Sequence, residues 1–185
     1  MRTNTSSTQR NAEFLGQALA LIDALPEGVY AARPLHFERG GLGVHLRHVL
    51  DHYDAFLDGL TEGRIDYDTR ERDAATELEV SVARGRLLAT IARLRALGPG
   101  KDSHEVWAAR KLEVLMDLGG LSATDSRSSV SSIARELQYL VAHTVHHFAL
   151  IAVSLRLSGH PCPADFGVAP STLRHEESSS GACAR

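Results

Sequence analysis

The sequence predicts an all-α protein, a four-helix bundle, and three observations carry that expectation. Apolar residues recur at helical spacing in four separate stretches, which glycine and proline punctuate. The 185 residues suffice for one domain with one core. Two of the four stretches hold six of the ten histidines, all beside the apolar stripe.

Residues 1–10 are polar and Ser/Thr-rich, and are expected to be disordered. The bundle is expected over 11–175, with a second disordered tail over 176–185. Asn11 is placed to cap a first helix through Leu25, with Phe14, Leu15, Ala18, Leu21, Ile22 and Leu25 at helical spacing and Pro26 as its stop. Residues 26–41 read as a loop lying over part of the core. A second helix runs from about Leu42 to Leu60 and ends at Gly63. Its apolar stripe is Leu46, Val49, Leu50, Tyr53, Phe56, Leu57 and Leu60. Arg47, Asp51, Asp54 and Asp58 share the opposite side, and His45, His48 and His52 share an edge beside the stripe.

Residues 63–72 read as a charged loop with Arg64, Tyr67, Arg70 and Arg72. A solvated loop is the preferred reading there over an anion-binding patch. A third helix is expected from Asp73 to about Leu97, packing through Leu78, Val82, Leu87, Leu88, Ile91 and Leu94, with Gly98-Pro99-Gly100 as its stop. Between 104 and 130 the period changes: Val106 to Asp117 partly alternates and Gly119-Gly120 reads as a turn. A short β-hairpin is expected between helices three and four, with a broken helix as the alternative. Ser131 or Ser132 then caps a long fourth helix that ends near Gly159.

That fourth helix carries His143-Thr144-Val145-His146-His147. His143 and His147 lie one turn apart on one face, where two imidazoles reach a single cation, and Glu136 and Ser154 share the face. Imidazoles from two helices converging on one ion is one reading, and a hydrogen-bonded histidine network in a polar core is the other. Glu136 is either an acidic residue favoured by the helix dipole or an acceptor behind a ligand histidine. Cys162, between Pro161 and Pro163, reads as a thiol on a rigid loop, and Cys183 as an inert tail residue.

Net charge is −3 and aromatics are 5%, which argues against a nucleic-acid partner. No uninterrupted apolar run approaches the roughly 20 residues of a membrane span, and the N-terminus has no apolar signal core. A cytoplasmic protein is expected.

The run His45-Leu46-Arg47-His48-Val49-Leu50-Asp51-His52, followed by a last helix bearing His143-Thr144-Val145-His146-His147, resembles the DinB-like superfamily. That group of four-helix metalloenzymes includes the YfiT-like proteins. The resemblance covers roughly residues 12 to 175; Asp165 to Leu173 is similar to the end of a bacterial subgroup. The family name implies no DNA binding.

The resemblance implies a divalent metal, zinc first and nickel or iron next, held by His48, His143 and His147. On the second helix His52 is the next choice after His48, and His45 the third. His146 matches a position that is often histidine without being a ligand. The resemblance further implies a metal-dependent enzyme that activates a thiol or water, a thiol-dependent transferase or a hydrolase. Family members include mycothiol- and bacillithiol-dependent enzymes and a portion of sulfoxide synthases. The additional catalytic domains of a complete sulfoxide synthase are not found, so that activity is not expected. The partner implied is a small-molecule substrate such as a low-molecular-weight thiol; composition argues against nucleic acid and membrane, and bundles of this size often pair as a homodimer through an exposed helix face. Tyr53 or His52 is the expected proton-transfer partner. A non-catalytic metal-binding or stress-related protein using the same site is the alternative.

Overall fold

The computed structural model describes residues 6–34, 40–69, 71–117, 119 and 127–182. The expectations for residues 1–5, Arg70, Gly120 and Cys183 lie outside them. The described chain is mainly helical, with seven helices and one small three-stranded sheet.

Helix α1 (Ser7–Ala24) starts earlier than the sequence suggested, because Ser6 is the cap and its Oγ accepts from the Gln9 amide at 3.1 Å. Asn11 is instead fully buried: its Nδ2 donates to the carbonyls of Ser7 and Leu137, and its Oδ1 accepts from the Tyr53 hydroxyl at 2.8 Å. Helix α2 (Leu42–Glu62) ends at Gly63, whose φ of 71° is the left-handed conformation that glycine adopts without strain. The chain then turns directly into strand β1 (Arg64–Asp66). A side chain at Gly59 would collide with the Arg64 carbonyl, so the return needs glycine there too.

The expected third helix is two helices. α3 (Ala74–Leu78) is capped by the Asp73 carboxylate, and α4 (Val80–Ala96) follows a break at extended Glu79. The break changes the phase of α4. Its buried positions are Ala83, Leu87, Thr90, Ile91 and Leu94, while Leu78 and Leu88, expected inside, are exposed.

A one-turn helix α5 (His104–Ala108) buries Trp107. Strands β2 (Lys111–Leu115) and β3 (Ser128–Ser132) then pair antiparallel, Lys111 opposite Ser132 and Leu115 opposite Ser128, as the expected hairpin requires. The charged loop holds a surprise: β1 pairs parallel with β2, Ile65 beside Val114, and buries Ile65 completely.

Helix α6 (Ile133–Leu157) begins at Ser132, whose Oγ accepts from the Arg135 amide. By length and composition α6 could cross a bilayer. Here it is a core helix, with Leu137, Leu140, Phe148 and Ile151 buried. A final helix α7 (Pro170–Ala182) runs into the tail expected to be disordered from residue 176, opening on proline, which suits a first helical turn.

The long helices α1, α2, α4 and α6 enclose the core: α1 and α2 each pack on both α4 and α6. The acidic side of α2 faces α4 rather than solvent. Arg86 of α4 reaches Asp51 and Asp54, Arg93 reaches Asp54 and Asp58, and Arg47 reaches Asp51 and Glu77. The histidine edge of α2 is left to meet α6.

Candidate metal centre

Histidines from the middle of α6 and the N-terminal half of α2 converge. The Nε2 atoms of His48 and His143 are 3.1 Å apart, and the Nδ1 atoms of His45 and His147 are 3.0 Å apart. The His147 ring lies 4.6 Å from that of His48 and 4.5 Å from that of His143, centre to centre. His52 stacks on His143 at 4.0 Å. His48, His52 and His143 each offer a ring nitrogen within 4.8 Å of the other two. His146 is exposed, and its ring meets the edge of His147.

Two nitrogens bound about 2.1 Å from one ion, at angles of roughly 90° to 109°, stand about 3.0–3.4 Å apart. The His48–His143 separation fits that span. The other nitrogen of that ring, His143 Nδ1, is buried with no hydrogen-bond partner among the described residues, and an ion held at Nε2 leaves it so, because the two ring nitrogens point in different directions. His52 is held in one tautomer. Its Nδ1–H donates to the His48 carbonyl at 2.9 Å, so Nε2 is the ring nitrogen that carries the lone pair.

The cluster is built to stay neutral. Burial, reinforced by His52, His147, His48 and His146, lowers the His143 pKa to about 2. Burial and then His45 lower that of His147 to about 4. Burial, with His146, lowers that of His45 too. Neutral imidazole is the form that binds first-row cations.

Beyond the histidines stands a second layer. The Tyr67 ring stacks on His52 at 5.3 Å, and its hydroxyl donates to Glu136 Oε2 at 2.8 Å. Ser131 Oγ donates to the other carboxylate oxygen. Burial and the adjacent carboxylate raise the Tyr67 pKa, so it remains a donor. Glu136 therefore reaches the cluster through Tyr67, where the sequence suggested direct contact with a histidine. Tyr67, Tyr139 and Glu136 also line a cleft of about 400 Å³ between the hairpin and α6.

Other candidates stand elsewhere. Tyr53 is fully buried and joins Asn11 on α1 to Thr144 on α6, and burial raises its pKa. Arg64 pairs with Glu113 on the sheet surface, and Arg72 is exposed. Cys162 is half-buried beside a cavity of about 550 Å³ against α1, and burial raises its pKa. Tyr67 was visible in the sequence only as a loop residue. Nothing in the spacing linked it to a carboxylate 69 positions away.

No family model matches the sequence. The chain is similar to FK506-binding protein 5 of Rhizopus delemar, 31% identical over 115 residues, which is 60% of this chain. It spans about a quarter of that relative's length, 27%.

Proposed function

We propose that the chain binds one divalent transition-metal ion at the histidine cluster and is a metal-dependent enzyme of the DinB-like kind. The observation that carries the reading is the approach of His48 and His143 from different helices to ligand spacing, with neutral rings. The mutual packing of α1, α2, α4 and α6 supports the four-helix bundle of that family.

His48 and His143 are shared by the ligand set completed by His52 and the one completed by His147. For the third, the tautomer of His52 and its nitrogen spacing favour His52. His147, which the helical spacing favours, pairs its Nδ1 with His45 and serves when that pair opens. All ligands are neutral, so a second divalent ion beside the first has no carboxylate to offset the repulsion; one ion is the reading. Zinc, nickel and iron(II) all suit imidazole nitrogen.

When bound, such an ion lowers the pKa of a coordinated water or thiol and supplies a nucleophile at neutral pH. The chain's own part is to hold the ligand rings, to fix His52 through the His48 carbonyl, and to offer the Tyr67–Glu136 layer beside a cleft. A transferase using a low-molecular-weight thiol, or a hydrolase, is the activity this arrangement supports best. Cobalt substitution tests it. The near-ultraviolet spectrum of the cobalt-loaded protein should gain a sulfur-to-metal charge-transfer band on addition of a small thiol. A spectrum unchanged by thiol at saturating concentration sinks the thiol reading and leaves hydrolysis.

A further inference from the structure

Glu136 is buried, 6% exposed, and lines a cleft without forming an ion pair to any described cationic side chain. Its hydrogen-bond partners are two neutral hydroxyls, Tyr67 and Ser131, and no lysine, arginine or histidine among the described residues forms an ion pair with it. The contrast lies within the same molecule: the other deeply buried carboxylate, Asp51, is gripped by Arg47 and Arg86. Buried charges are ordinarily paired, because desolvating one alone is expensive. A carboxylate has about four lone-pair positions, and two hydroxyls leave half of them open.

The walls around Glu136 suit a positive group with an apolar stem. Tyr67 and Tyr139 stand 5.2 Å apart, ring to ring, and both line the cleft, so aromatic surface is available to an ammonium. Met116 and Val130 supply apolar lining; Arg127, already paired with Asp68, and Arg135 also line the cleft, and neither forms an ion pair with Glu136. At about 400 Å³ the space takes a small molecule rather than a peptide chain.

We propose that this cleft binds the protonated primary amine of a small molecule, with Glu136 as its counter-charge. The Tyr67 ring stacks on His52, so a ligand held there lies beside the histidine cluster. That the amine is a substrate rests on the metal-site reading, whereas recognition of the amine does not.

The test titrates n-hexylamine and 1-hexanol, matched in length, into the full chain and follows backbone amide resonances. It is run on metal-stripped and cobalt-loaded protein. The amine should bind at least about tenfold more tightly than the alcohol, the effect of one charge-assisted hydrogen bond, and should move the amides of Ser131, Glu136 and Tyr139. Glu136→Gln should erase the preference and leave hexanol binding unchanged. Equal binding of the two probes to the wild-type protein overturns the proposal, and that comparison needs no variant to fold. Amine-induced shifts confined to Asp54, Asp58 and Glu62, on the acidic groove along α2, also overturn it. Cobalt uptake without an amine preference removes the amine and keeps the metal. An amine preference without cobalt uptake keeps the amine site and removes the metal.

Discussion

His48 and His143 bring their Nε2 atoms to 3.1 Å although 95 positions separate them in the chain. The contact joins α2 to α6 at mid-helix, so any ion held there also ties the two helices together. The stability, acid response and metal response of the protein all depend on that junction.

An ion that binds only the folded chain must stabilise it. Saturation to about 100 times the dissociation constant adds about 2.7 kcal/mol, which in a domain of this size raises Tm by roughly 5–10 °C. Differential scanning calorimetry with zinc or nickel, then with excess chelator, should show the rise and its reversal. An unchanged Tm with both metals counts against a folded-state site.

Acid should weaken the metal-free protein through the same rings. The folded-state pKa values of His143 and His147, about 2 and about 4, lie below the unfolded value of 6.5. Between those limits the unfolded chain binds more protons than the folded one, so stability rises with pH. The stabilisation is complete above about pH 6.5 and is lost as pH falls toward about 4 for His147 and about 2 for His143. Each histidine contributes at most about 1.4 kcal/mol per pH unit within its window. Urea midpoints at pH 7 and pH 5 should differ in that direction, and His147→Gln should flatten the slope. A midpoint that is unchanged or higher at pH 5 contradicts the neutral cluster.

Tyr53→Phe separates a strut from a catalytic group. Losing the hydroxyl leaves Asn11 Oδ1 without its donor in the core, at a cost of about 1–3 kcal/mol. Metal affinity should stay within about twofold of wild type, since the hydroxyl faces Asn11 and Thr144. A large loss of metal with stability intact would place Tyr53 in the site.

The charge ladder between α2 and α4 should be energetically uneven. Arg86→Ala strips a partner from nearly buried Asp51 and from Asp54, and should cost about 1–3 kcal/mol, moderated because Arg47 still holds Asp51. Arg93→Ala removes pairs that are open to water and should cost about 0–1 kcal/mol. Chemical denaturation of both variants gives the comparison, and equal costs would mean that burial of Asp51 is not what matters.

Much of this architecture is legible in the chain because periodicity carries it. The wheel of α2 divides cleanly, and it places His45, His48 and His52 on the edge that turns out to face α6. Ser132, one of two expected caps of α6, and a strand pair ahead of that helix follow from local chemistry in the same way, although Val106 and Trp107, read as part of the alternating stretch, are helical. What escapes is what only tertiary contact decides. β1 is three residues long with one apolar side chain, too short to show alternation, and exists because β2 lies beside it. Asn11 has the chemistry of a cap, yet the backbone of α6 and the Tyr53 hydroxyl claim it for the core. The acidic side of α2 shows on the wheel, but its partners Arg86 and Arg93 come from another helix. Within the cluster, helical spacing selects His143 with His147, while the side-chain packing sets His52 against His143 and turns His147 toward His45.

The most direct measurement is the metal content of untagged wild-type protein and its His143→Ala variant after incubation with zinc, nickel or iron(II). The account predicts about one ion per chain in the wild type and less than about a tenth in the variant, with helical circular dichroism retained in both. A stoichiometric ion still held by His143→Ala, or a wild type that takes up none of the three metals, would contradict it.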